Sequence, residues 1–482
     1  MITKKFFVVW TFSLLVSCKT QLRENDSPGH ELKKPNILII YVDDLGYGDL
    51  SSYGGKTPTP NIDKIGKEGI RFTDFHVSAP GCTPSRYSLL TGAYPQRSHN
   101  GLDWVIYQWH DAYFNRNEII MPNYLKNKGY QTALMGKWHL GGNPLDYDFD
   151  RFVGHKEGHL GYYGHVTVFP YTKKGTYGLD WYINNECRDE EGYATDLITN
   201  HTIETLDDFS SGDKPFFIYL AYNAPHYGCG TKELTPVENA VNIDTGYAPK
   251  EFDRLFASLE APTEYIDKFA DVENIYERYY MAMLSNLDDN IGRVWQKLDE
   301  EGILENTLIW FISDNGGYSN NSDIEYGKNP HASNGPLRGS KGMLYEGGIR
   351  VPSLLCWKEK IKPGQVRDQL LINIDVLPTL GSMIGFSEEL KNNTIDGMDI
   401  KNVIFNNEPM ERELFWKYRG GHGQIAYRDG DWKIYQDELY NLANDIGEKN
   451  NLAEKYPGIY AKLKAKHDSV DANMTKFNEF KK

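Results

Sequence analysis

A chain of 482 residues with 40% hydrophobic and 25% charged residues has ample material for a core, which excludes disorder and predicts one large domain with a smaller companion. A formal net charge of −15 excludes nucleic acid as a partner, because that role calls for a broad basic surface. It does not exclude an anionic ligand, and it makes any local convergence of Lys, Arg and His informative. The 13% aromatic content, with 33 Tyr and 10 Trp, supplies rings that suit sugar faces, although most of them belong to core and surface.

The N-terminus reads as an address. Lys4 and Lys5 precede the apolar run Phe6 to Val16, and Leu15-Val16-Ser17-Cys18 is similar to the cleavage box of a bacterial lipoprotein signal, with a plain secretory signal as the alternative. Both predict export, to the periplasm or outer membrane if Cys18 carries lipid. Residues 1–18 are then the signal and 19–34 a polar tether, and the lipid is the only membrane contact expected.

Residues 35–395 predict an α/β catalytic domain built on a large, mostly parallel sheet between helices, because apolar runs without strict alternation recur with helical stretches between them. The strands are Asn36 to Val42, Tyr130 to Met135, Phe216 to Tyr222, Thr307 to Ser313 and Val351 to Trp357. The helices are Asn61 to Glu68, Thr83 to Leu90, Tyr193 to Phe209, Asn274 to Glu301 and Asp375 to Ile384. Between them, the Gly-, Tyr- and His-rich stretch Arg151 to Glu186 is too long and irregular for a simple connection and is a candidate substrate loop. Residues 396–482 change pattern: Leu414 to Tyr418 and Gln424 to Tyr435, broken at Asp429-Gly430, predict antiparallel strands, and Pro457 to Phe480 a closing helix, together a small α+β subdomain. With Cys18 and Cys82 set aside, Cys187, Cys229 and Cys356 remain, and spacing leaves a Cys187–Cys229 disulfide open.

In an open parallel sheet, ligands bind beyond the carboxyl ends of the strands. Asp43 and Asp44 end the first strand, Lys137 and His139 follow the second, His226 follows the third, and Asp314 and Asn315 end the fourth. Four polar clusters at one edge make a site. Asp43, Asp44, Asp314 and Asn315 offer oxygen and suit a hard divalent ion, calcium rather than zinc. If Lys137 and His139 lie in extended backbone, their two-residue spacing points both to one face.

Gly81-Cys82-Thr83-Pro84-Ser85-Arg86 is the most informative segment. Pro84 is tolerated only in a helix's first turn, so Cys82 belongs at a helix start, where free N–H groups favour a negative oxygen. Arg86, four residues on, shares the face of Cys82.

Cys82-Thr83-Pro84-Ser85-Arg86, followed by Leu89-Leu90-Thr91-Gly92, resembles the Cys-x-Pro-x-Arg signature of type I, formylglycine-dependent sulfatases in the alkaline phosphatase superfamily. Asn36 to Asp44 with Gly46-Tyr47-Gly48-Asp49, Gly136-Lys137-Trp138-His139-Leu140-Gly141, Ala224-Pro225-His226, Ser313-Asp314-Asn315-Gly316, and Pro336 to Gly342 through Glu346 to Pro352 resemble that family in the same order. Among its members, the chain resembles bacterial polysaccharide sulfatases and enzymes similar to N-acetylgalactosamine-6-sulfatase and arylsulfatase A.

The resemblance implies that a formylglycine-generating enzyme oxidises Cys82, and that Asp43, Asp44, Asp314, Asn315 and an oxygen of modified Cys82 hold Ca2+. Arg86, Lys137, His139, His226 and Lys341 would surround the nucleophile and the sulfate. A hydrated formylglycine, deprotonated with help from Asp314, would attack sulfur, with Arg86, Lys137 and Lys341 steadying the sulfuryl oxygens. His226, helped by Lys341, would protonate the leaving alcohol, and His139 would take the proton that lets the sulfoenzyme eliminate sulfate. Arg338 and Arg350 stay outside the site, with Glu346 and backbone groups as partners.

Export and aromatic richness favour a sulfated polysaccharide or its oligosaccharides, such as algal galactan, ulvan, fucan or glycosaminoglycan, with His155, His159, Tyr162, Tyr163 and His165 as sugar contacts. Two other readings stay open: a phosphatase or phosphodiesterase of the same superfamily, and a sulfoglycan-binding protein without catalysis.

Overall fold

The computed structural model describes residues 34–98, 102–106, 118–169, 176–230, 235–242, 256–319, 331–391 and 393–479; the signal and the tether up to residue 33 lie outside them. Its centre is a ten-stranded mixed sheet. In chain order the strands are β1 (Asn36–Val42), β2 (Ile70–Phe72), β3 (Gln131–Lys137), β4 (Arg151–His155), β5 (Tyr182–Ile183), β6 (Glu186–Cys187), β7 (Phe216–Tyr222), β8 (Thr307–Ser313), β9 (Ser353–Cys356) and β10 (Gln365–Arg367). Across the sheet they run β10-β2-β9-β8-β1-β7-β3-β4-β5-β6. Strands β8, β1, β7, β3 and β4 run parallel to one another. Strand β9 departs from that pattern, pairing antiparallel with β8 and β2 and stopping at Cys356.

Strand β1 shows why its apolar run does not alternate. Ile37, Ile39 and Tyr41 join a core on one face, and Leu38, Ile40 and Val42 join a second core on the other. Each face needs a helical cover, since both rows are apolar. Helices α1 (Pro60–Lys67), α3 (Ala194–Ser210) and α4 (Ile275–Glu300) put Ile62, Leu197 and Leu284 on the second core. Helices α2 (Cys82–Thr91) and α5 (Val376–Ile384) put Leu89 and Leu377 on the first. Asn274 caps α4 by accepting from the backbone N–H groups of Tyr276 and Glu277, which places the helix start.

A four-stranded antiparallel sheet follows: β11 (Glu413–Tyr418), β12 (Gln424–Asp429), β13 (Trp432–Tyr435) and β14 (Glu438–Asn441), in that order, with α6 (Pro457–Glu479) beside it. Trp416, Ile434, Leu439 and Leu463 share its core. Strand β14 was not foreseen; its four residues are too few for a periodic signal.

The structure answers one open question and corrects one expectation. Cys187, which is exposed, and Cys229, which is buried, are not joined by a disulfide. The stretch from Arg151 to Glu186 is no single loop but carries β4, β5 and a hairpin of Val166–Phe169 with Thr176–Leu179.

Candidate active site

Strands β8, β1, β7 and β3 are consecutive in the sheet, so their carboxyl ends open side by side. Asp43 and Asp44 leave β1, Asp314 and Asn315 leave β8, Lys137 ends β3, and His226 lies beyond β7. The ligand atoms of Asp43, Cys82 and Asp314 lie within 4.8 Å of one another, and those of Asp43, Asp44 and His226 form a second such group.

Cys82 is the first residue of α2, after Gly81 in extended backbone at φ −158°, ψ 152°. No side chain caps that end, so backbone N–H groups of its first turn point outward. Arg86, one turn on and fully buried, donates through Nε and Nη2 to Asp314 Oδ2 at 3.1 and 2.8 Å, and through Nη1 to the Lys137 carbonyl at 3.2 Å.

Three cations meet three carboxylates here. Lys137 donates to Asp43 Oδ2, Arg86 reaches Asp314, and Lys341 lies 2.7 and 2.8 Å from the two oxygens of Asp44. Burial opposes the charge on Asp43, but Lys137, His226 and Arg86 overcome it and hold the carboxyl well below the usual range. Burial also opposes the charge on Asp44, and Lys341 with His226 brings that carboxyl down. Asp314 goes the other way: burial and the nearby Asp43 charge push it up, ahead of the opposing Arg86. Burial raises the Cys82 thiol as well.

Asp43 Oδ1 and Asn315 Oδ1 are buried without a hydrogen-bond partner, while Asn315 Nδ2 donates to Asp44 Oδ1 at 2.7 Å. Unpartnered oxygens are costly in a protein interior unless a cation meets them. Together with the other carboxylates they fit a hard divalent ion.

The histidines are held by backbone carbonyls. His139 Nε2 donates to Ile106 O at 2.8 Å, and His226 Nδ1 to Tyr227 O at 2.6 Å, which leaves His226 Nε2 facing Asp44 Oδ2 at 3.4 Å. Burial, then the Lys341 charge, lowers His226 to about 4; burial and Lys137 take His139 well below the ordinary value. Both imidazoles are therefore neutral at rest.

The expected geometry for Lys137 and His139 is wrong in detail. Strand β3 ends at Lys137, and His139 has φ 53°, so the two do not share an extended face. The Lys137 charge still acts on the His139 ring after the chain turns. Asp44, at φ 64°, is likewise in the left-handed region, and such strain in non-glycine residues collects at functional sites. Gly158 makes room for His139, since a Cβ there would come within 2.8 Å of its ring.

Cys82, His139, His226 and Lys341 open on one cavity of about 320 Å³, which Trp104, His159, Tyr227, Tyr318, Tyr418 and Gly420 also line. Of the expected sugar contacts only His159 is there. His155 is fully buried, His165 stacks on Trp181, Tyr162 donates to the carbonyls of Asn223 and His226, and Tyr163 accepts from Asn239. Trp104 and Tyr418 were missed; they stand far apart in the chain with no motif to mark them. Arg338 and Arg350 lie outside, on Tyr440 and the Glu448 carbonyl and on Asp74 and Glu346.

A mixed α/β sheet whose carboxyl edge gathers carboxylates, cations and a helix-start cysteine defines a hydrolase of anionic esters. The chain matches the Sulfatase family over residues 35–386 and the family of the N-sulphoglucosamine sulphohydrolase C-terminal region over residues 340–473. It belongs to the sulfatase family and is a sulfuric ester hydrolase, which sets aside the phosphatase reading. It is 30% identical to N-acetylgalactosamine-6-sulfatase of Mus musculus over 88% of this chain and 75% of that one. It is 30% identical to arylsulfatase A of Bos taurus over 83% and 74% of the two chains. Among solved structures, Ps i-CgsB in complex with k-i-k-neocarrahexaose superposes with a TM-score of 0.75 at 26% identity, covering 93% of this chain and 98% of that one.

Proposed function

We propose that this sulfatase desulfates a polysaccharide or its oligosaccharides, with residue 82 in the formylglycine form and Ca2+ held by Asp43, Asp44, Asp314, Asn315 and residue 82. The observation that carries this reading is the convergence of the Asp43, Cys82 and Asp314 ligand atoms beside a cavity that also receives His139, His226 and Lys341. When bound, calcium and formylglycine supply a Lewis acid and an oxygen nucleophile.

The remaining chemistry belongs to this chain's own side chains. Lys137, Lys341 and Arg86 lie around the nucleophile and are preorganised to hold the negative oxygens of a sulfuryl group, because each is already fixed by a carboxylate. Asp314, ionised when a cation occupies the site and held by Arg86, would accept a proton from the oxygen borne by residue 82. His226 Nε2 faces the cavity side with Lys341 and Asp44 beside it; bare in the resting ring, it must first take up a proton, which an anionic sulfate ester in the cavity favours, and then delivers that proton to the departing alcohol oxygen. His139, with Nδ1 as its free lone pair, takes the proton whose loss releases sulfate.

Retention of Cys82, Arg86 and both histidines argues against a glycan-binding protein without catalysis. The mixed aromatic and polar lining and the carbohydrate named with Ps i-CgsB support a glycan substrate. Maturation would require a formylglycine-generating enzyme. Export, with a lipid anchor at Cys18, rests on the composition of residues 1–18; among the described residues no helix is long and apolar enough to cross a membrane.

The test is sulfate release from defined carrageenan, ulvan, fucan and glycosaminoglycan oligosaccharides. The reading expects turnover of at least one saccharide class. Turnover of aryl sulfates or phosphate esters alone would overturn it.

A further inference from the structure

The geometry points to the stacked pair Trp104 and Tyr418 as a specificity subsite that receives the apolar face of the pyranose bearing the sulfate. The inference rests on the glycan sulfatase reading and deepens it. The two rings are near parallel, 16° apart with centroids 6.4 Å apart, and both line the cavity that holds Cys82. Stacked in this way they hold each other in place, and both rings contribute to the cavity lining. A pyranose has a matching patch of ring C–H groups on one face and hydroxyls around its rim, whereas the other cavity groups, among them Tyr227, Tyr318 and His159, are polar at their tips. Aromatic rings and hydrogen-bonding groups lining one cavity are the complement of a sugar rather than of a steroid, which would need an apolar lining all round.

The pair is built, not incidental. Tyr418 ends β11, and Trp104 comes from the segment 102–106, so the antiparallel sheet and the catalytic region each contribute one ring. Asp103 and Arg419, the neighbours of the two rings in the chain, form an ion pair at 2.6 Å that ties the segments together. Gly81 permits the approach to the start of α2: a Cβ there would come within 2.9 Å of Val105 and 3.2 Å of the Tyr418 hydroxyl.

The same short segment reaches the reacting groups. Ile106 N donates to Thr83 Oγ1 at 3.2 Å, beside Cys82, and Ile106 O receives the His139 Nε2 proton at 2.8 Å. A sugar seated on Trp104 therefore rests on the segment that orients the base. Trp104 carries no acid, base or nucleophile, so its contribution should be to binding, with a positioning effect through Ile106 as the rival account.

Calorimetry on the full chain carrying Cys82→Ala, which cannot turn over, separates binding from catalysis. The probes are a carrageenan tetrasaccharide, N-acetylgalactosamine 6-sulfate and 4-methylumbelliferyl sulfate. Adding Trp104→Ala should weaken the best-bound saccharide about tenfold, and Trp104→Phe should recover most of that loss, since a ring face is what is needed. In the Cys82 enzyme the same substitution should raise KM with kcat within about twofold.

Unchanged saccharide affinity, no saccharide binding by the Cys82→Ala protein, or a loss confined to the aryl sulfate would overturn the subsite. So would a fall in kcat at constant KM that Phe does not rescue, which would place Trp104 in a positioning role. Sulfate release by the Cys82 enzyme is read separately, so the sulfatase reading can stand while the subsite fails, and the reverse.

Discussion

His139 Nε2 donates to the carbonyl oxygen of Ile106 at 2.8 Å, and that bond decides which nitrogen can act as a base. A carbonyl can only accept, so the neutral ring carries its proton on Nε2 and keeps Nδ1, which is buried and unpartnered, as a lone pair. His226 is held the opposite way, through Nδ1 to the Tyr227 carbonyl.

The two histidines are assigned different steps, and the steps predict different defects. His226→Ala should slow ester cleavage itself, by about 100-fold or more for alcohols that leave poorly, with little adduct. His139→Ala should release up to one equivalent of desulfated product and then stall with sulfate retained on residue 82. Rapid-quench kinetics with intact-protein mass spectrometry distinguishes the two, and the reverse pattern would exchange the assignments.

Calcium should be bound at about one equivalent, as the oxygen donors and the unpartnered Asp43 Oδ1 and Asn315 Oδ1 require. Asp314→Ala should remove both the metal and activity while circular dichroism stays that of the folded protein, although Arg86 then loses its carboxylate partner. Elemental analysis showing stoichiometric zinc with undiminished turnover would count against the assignment.

Asp180 provides a pH prediction away from the metal. Burial, with the Glu157 charge behind it, pushes its carboxyl up to about 8. The folded state then holds a proton that the unfolded chain, titrating near pH 4, has released. Stability from this group is full below about pH 4 and is lost as pH rises towards about 8. Asp180→Asn removes that dependence, so its melting temperature relative to the parent should improve steadily from pH 5 to pH 8. A constant offset is also expected, because one of the two N–H groups of Lys156 and Glu157 loses its acceptor. A difference that does not change with pH would refute the assignment.

Much of the candidate site was legible because its residues follow strands buried on both faces. The runs Asn36 to Val42, Phe216 to Tyr222 and Thr307 to Ser313 are the observed strands to the residue, and a sheet rule then puts their polar ends together. Cys82 and Arg86 share a helix turn that Pro84 announces. What stayed hidden depends on contacts without a period. His139 escapes the strand at a left-handed residue, which no alternation pattern can anticipate. His155 and His165 sit in a Gly- and Tyr-rich stretch that reads as surface, yet tertiary packing buries both. Trp104 and Tyr418 become neighbours only when the antiparallel sheet closes on the cavity.

The central claim is that Cys82 is a precursor rather than the working nucleophile, and peptide mass spectrometry of protein produced with a formylglycine-generating enzyme tests it most directly. The account predicts formylglycine at position 82, with sulfate release proportional to the converted fraction. A fully active preparation whose residue 82 is entirely an unmodified thiol would contradict it.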